Sequence, residues 1–155
     1  MSKSTCCFIG HRTVKVTEEL KKRLIEIIEE LITKENVDTF LFGSKSQFNS
    51  LCLDILTSLK KKHPHVKRVY VRAEFMNISK DYKAYLLEDY EDTYYPEGII
   101  GAGRAVYIKR NYEMIKSSRF CVIYYDSTVS TKRKSGSKVV LDYALKLHRD
   151  IFLLP

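Results

Sequence analysis

Residues 5–9, Thr-Cys-Cys-Phe-Ile, form an unbroken apolar or β-favouring run that stops at Gly10, with His11 and Arg12 directly behind it. A half-buried strand alternates apolar with polar residues, whereas a run without that alternation is a strand covered on both faces. Strands of this kind belong to parallel sheets flanked by crossover helices, which points to an α/β architecture rather than an all-α or all-β one. In open sheets of that class the first strand often lies mid-sheet. Ligands bind beyond the carboxyl ends of the strands, where the strand order reverses. Gly10, His11 and Arg12 are therefore the first candidate site residues.

The rest of the chain keeps the alternation. Thr17, followed by Glu18 and Glu19, is a helix start, because a hydroxyl caps exposed amides and carboxylates suit the positive end of the helix dipole. That helix runs to about Lys34, with Val16, Leu20, Leu24, Ile27, Ile28 and Leu31 on one face. A second strand, residues 39–42, ends at Gly43, Ser44 and Lys45. A helix bearing Phe48, Leu51, Cys52, Ile55, Leu56 and Leu59 on one face follows it. Residues 66–73 read as a third strand with one more polar side. Residues 76–100 read as an irregular surface excursion with a short helix near Ser79 and Asp81. Their tyrosines read first as cover for the sheet edge, with stacking on a base as the alternative.

Gly103 precedes a helix whose stripe is Ala105, Ile108, Tyr112 and Ile115, and a uniformly apolar strand occupies residues 119–125. A loop rich in hydroxyls and cations then leads to Ser137, a helix with Val140, Tyr143, Ala144 and Leu147 inward, and a last strand, 151–154. The expected fold is one α/β domain over residues 1–155, Rossmann-like and three-layered. Its mostly parallel sheet of about five strands, ordered 3-2-1-4-5, carries helices on both faces.

Composition narrows the function classes. No apolar run is long enough to span a bilayer and no amino-terminal signal pattern is present, so the expected location is the cytoplasm and no membrane partner is expected. Cys6, Cys7, Cys52 and Cys121 sit in apolar segments without CxxC or Cys/His ligand spacing, which reads as buried free thiols and no metal site. The net charge is +8. Residues 103–149 hold eleven lysines and arginines against Glu113, Asp126 and Asp142, so the whole excess lies in the last third. A localised positive field suits an anionic partner, and a solvated basic face gives the same count.

Loops after three of the strands pair small residues with cations or hydroxyls: Gly10, His11 and Arg12; Gly43, Ser44 and Lys45; and Asp126 through Ser135, Gly136 and Ser137. Small residues at a helix start let backbone amides approach a phosphate. Neither GxGxxG after the first strand nor GxxxxGK[ST] occurs, so a phosphate site here is of another kind and no cofactor is expected. His11 also reads as a loop histidine bonded to backbone, Arg12 as a partner of Asp126, Asn111 as a brace, and Lys132 to Lys134 as a solvated run. Arg110 is harder to explain away. It lies two residues from both Ile108 and Tyr112, beside the buried stripe, where a cation is costly unless it is paired or aimed at a ligand.

Three segments, TCCFIGHR, FLFGS and AGRAVYIKRNYEMIKSSRFCVIYYD with the Ser/Gly loop and apolar helix behind it, resemble the SLOG superfamily and most closely its YpsA-like branch. The resemblance spans nearly the whole chain. It implies a Rossmann-like domain related to the cytokinin-activating LOG phosphoribohydrolases and to the DNA-binding core of DprA, with a nucleotide-derived ligand sensed or processed. The implied ligand positions are Gly10, His11, Arg12, Gly43, Ser44, Arg104, Arg110, Asn111, Ser135, Gly136 and Ser137. LOG enzymes read PGGxGTxxE at the last loop, where this chain reads KRKSGSKVV and the catalytic glutamate position falls on Val140.

The first functional reading is a domain that binds or senses a small nucleotide-type ligand, a phosphorylated nucleoside or an ADP-ribose-like molecule. The second is an N-glycosidic hydrolase or transferase using Asp126 or Asp142 in place of the glutamate, with no catalytic residue assigned. The third is a nucleic-acid module built on the basic last third. A homodimer is left open.

Overall fold

A computed structural model describes residues 2–126, 128 and 136–155, with side chains from residue 4 onward. The chain runs β1 (Ser2–Gly10), α1 (Glu18–Thr33), β2 (Thr39–Phe42), α2 (Gln47–Leu59), β3 (Lys67–Val71), α3 (Lys80–Leu86), β4 (Asp92–Tyr94), α4 (Val106–Ser117), β5 (Ser118–Tyr124), α5 (Gly136–Lys146) and β6 (Asp150–Leu154). Single 3-10 turns at Glu97–Ile99 and Gly103–Ala105 precede α4. One open sheet of six strands has the order β4-β3-β2-β1-β5-β6, and every neighbouring pair is parallel.

The sheet divides at β1, as its unalternated run requires. Cys6 and Phe8 join Phe40, Phe42, Phe120 and Val122 in a core under α1 and α2. Cys7 and Ile9 face the other way, joining Leu41, Cys121, Ile123, Met114 and Val140 under α4 and α5. Successive side chains of a strand point to opposite faces, so a strand between two helix layers must be apolar at every position. All four cysteine side chains are buried at this centre, and burial pushes the Cys6 and Cys52 thiols well above the ordinary range.

Three local expectations change. The sheet has six strands rather than five, because residues 92–94, inside the stretch read as irregular, pair with residues 69–71 of β3. Arg68 fixes that edge: its Nη2 donates to Glu91 Oε2 at 2.7 Å, and its backbone N donates to Glu91 Oε1 at 3.0 Å. Val16 is 47% exposed and lies outside the α1 stripe, which extends instead to Ile32. The buried positions of α4 are Arg110, Met114 and Ile115, with Ile108 and Tyr112 only half-buried. The helix is thus rotated towards the end of β2. Gly43 allows this close approach, since a Cβ built there meets Met114 Sδ at 2.6 Å and Arg110 Nε at 2.8 Å.

Candidate functional site

The carboxyl ends of β1, β2 and β3 open into a cleft of about 540 Å³. Its floor is Ile9 and Gly10 of β1 with Gly43 after β2. One wall is Ser44, Lys45, Ser46 and Asn49 at the start of α2, and the other is Tyr107, Arg110 and Asn111 of α4; Tyr70, Glu74 and Tyr82 close the β3 side and Arg12 stands at the mouth. Of the sequence candidates, the fold brings Gly10, Arg12, Gly43, Ser44, Arg110 and Asn111 together around this cleft.

In the loop after β2 the amides of Gly43 and Ser44 are already taken, contrary to expectation. Asn49 Oδ1 accepts from Gly43 N at 3.1 Å and from Ser44 N at 3.3 Å, while Asn49 Nδ2 donates to Phe8 O at 3.1 Å. The start of α2 is closed in the same way: Ser46 Oγ accepts from Asn49 N at 3.2 Å, and Gln47 N donates to Arg12 O at 2.8 Å. The amides of Gly43, Ser44, Gln47 and Asn49 are thus engaged within the protein, and the cations that line the cleft are the side chains of Arg12, Lys45 and Arg110. Asn49 was missed in the sequence although the signal was there: it is a polar residue on the buried side of α2, three residues after the Ser46 cap, and it is only 3% exposed.

Arg110 dominates the electrostatics. It is 6% exposed. Its Nε donates to Asn111 Oδ1 at 3.0 Å and its Nη1 donates to Val71 O at 3.4 Å, so both partners are neutral. Among the described residues no carboxylate pairs with it. Burial pushes its pKa below the ordinary range, opposed by the charges of Tyr70, Tyr107 and Glu74. A desolvated guanidinium costs several kcal/mol without a counter-charge, and an anion in the cleft supplies one.

The remaining candidates form a second group on the β5 side. His11 Nε2 accepts from Asp126 N at 3.0 Å, which leaves the neutral ring's proton on Nδ1, 3.4 Å from Ser137 Oγ. His11 thus donates towards Ser137 and does not act as a base on it. The Asp126 carboxylate accepts from Thr128 N and Oγ1 at 2.9 and 2.6 Å, not from Arg12. Hydrogen bonds from Thr128 hold that carboxyl below its ordinary range. Asp142 pairs with Lys138 at 3.0 Å on α5. Neither of these acids lines the cleft; the carboxylate that does is Glu74. Arg104 is exposed in the turn before α4, outside the cleft, as is Gly136 at the start of α5. Ser135, with Lys132 to Lys134, lies outside the described residues. Among the described residues no cluster of His, Cys, Asp or Glu could hold a metal ion.

Fold and cleft define the class: a doubly wound, Rossmann-like α/β protein with a cleft of mixed polar and apolar lining at the carboxyl ends of its central strands. No protein-family model matches the chain. It is 31% identical over 154 aligned residues to the uncharacterized SPbeta prophage-derived protein YoqJ of Bacillus subtilis (strain 168), with 84% of this chain and 82% of that protein covered. The chain belongs to the YoqJ family. No helix among the described residues is long and apolar enough to cross a membrane.

Proposed function

We propose that the protein is a cytoplasmic nucleotide-binding or nucleotide-sensing domain of the SLOG type, holding a phosphorylated nucleoside or ADP-ribose-like ligand over the carboxyl ends of β1, β2 and β3. One observation carries the reading: Arg110 is buried beside the cleft with neutral partners only. Glu74 lines the same cleft but makes no ion pair with Arg110; a phosphate supplies a counter-charge in direct contact, and the planar guanidinium fork can contact two of its oxygens at once. Lys45 and Arg12, both exposed on the cleft wall and mouth, add positive potential at longer range.

The test is calorimetric titration of the wild type, Arg110→Gln and Arg12→Ala with ADP and with ADP-ribose. Arg110→Gln is expected to lose about 1.5–3 kcal/mol of binding, the range for hydrogen bonds to charged groups. Arg12→Ala loses less, because solvent screens an exposed cation. Unchanged affinity in Arg110→Gln, or no binding of either nucleotide to the wild type, refutes the reading. Salt-sensitive oligonucleotide binding in its place would favour the nucleic-acid alternative.

A further inference from the structure

We propose that Tyr82, on the β3 side of the cleft, and Tyr107, on its α4 wall, are ring-stacking groups that make it selective for ligands that carry a planar base over base-free phosphates. This rests on the reading of the cleft as a phosphate-ligand site. Both rings line the same cleft as Arg110 and reach it from different elements, α3 and α4. The aromatic residues of the excursion after β3 divide by role. Tyr90 is buried, its ring 5.2 Å from that of Tyr70 and 5.8 Å from that of Phe42, and it packs on the face of the sheet over β2 and β3 rather than on its edge. Tyr82 does not join that core. It meets Phe75 edge-on at 6.1 Å and Tyr85 at 6.2 Å, both of which are about half exposed, and together they make an aromatic wall standing clear of the core.

Tyr107 is 52% exposed, with its ring centroid 6.0 Å from the Arg110 guanidinium carbon. A ring kept in water beside a buried cation gives up apolar burial, and a stacked base restores it. The cleft volume of about 540 Å³ is that of a site for one small molecule rather than for a polymer track. Cationic and aromatic side chains in one cleft match the two chemistries of a nucleotide, its phosphate and its base.

The experiment titrates ADP, ribose 5-phosphate and inorganic pyrophosphate into the wild type, Tyr82→Ala, Tyr82→Phe and Arg110→Gln, with circular dichroism confirming each fold. Tyr82 is the informative position because, unlike Tyr107, it makes no contact with Arg110. The expected result is that ADP binds at least about 10-fold more tightly than the two base-free probes. Tyr82→Ala should cut ADP affinity by roughly 5- to 160-fold, the span of one lost stacking contact, leave pyrophosphate affinity unchanged, and be rescued by Tyr82→Phe. Equal affinity of ADP and pyrophosphate, with both lost in Arg110→Gln, overturns the stacking role and leaves the phosphate site standing. Binding of none of the probes overturns both.

Discussion

Gly43 shows how tightly the site is specified at single residues. Its missing side chain lets α4 press Arg110 and Met114 against the end of β2, and an added methyl group collides with both. Gly43→Ala is therefore expected to destabilise the fold by about 1–3 kcal/mol, as overpacking does, and to weaken pyrophosphate binding by displacing the guanidinium. Urea melts and calorimetry on one preparation check both effects; wild-type values in each would show that the contact is not needed. Asn49 works at the same scale by closing the amides of Gly43 and Ser44. The sequence showed that Arg110 was unusual, because a cation beside an apolar stripe has to be explained. Which anion-holding groups remain open was not visible there. That depends on the partners of each amide, and Asn49 reaches back 41 positions to Phe8 O.

Among the elements, β4 is the one the sequence concealed. Three residues long and set among acidic and tyrosine residues, it lacks the apolar alternation that marks a strand, with only Thr93 of its three residues buried. Its pairing comes from outside. Glu91 receives Arg68 and also Lys60, at 3.6 Å, so one carboxylate ties the end of α2 to the edge of the sheet. Burial pushes the Glu91 carboxyl up, but hydrogen bonds from the side chain and backbone of Arg68, with the charges of Arg68 and Lys60, bring it below its ordinary value of 4.5. A folded pKa below the unfolded one gives stability that is present above the unfolded value and lost as pH falls through the folded one. Glu91→Gln should therefore lower stability at neutral pH and flatten the acid limb below about pH 4.5. Denaturation curves at stepped pH test this, and parallel curves for variant and wild type would rule it out. The long elements were legible because each is amphipathic or uniformly apolar over many residues, as α1 and β5 are.

For the whole molecule, the strand order was readable because consecutive parallel strands demand right-handed crossovers, which leave few arrangements of so many short apolar runs. The site followed from that order only in part. The reversal at β1 sets β2 on one side and β5 on the other, and the candidate residues divide accordingly. Arg12 and Arg110 go to the β2 side, while His11, Asp126 and Ser137 go to the β5 side as a hydrogen-bonded brace. The loops after β1 and β5 meet as expected, yet the cleft opens over β1, β2 and β3, because the rotation of α4 carries Arg110 there. The central claim is that an anion in this cleft completes the coordination of Arg110. A crystal structure with bound ADP tests it most directly. The account predicts a phosphate oxygen about 3 Å from the Arg110 guanidinium. Phosphates seated instead at His11 and Ser137 or on the outer basic face, with Arg110 still bonded only to Asn111 and Val71, would contradict it.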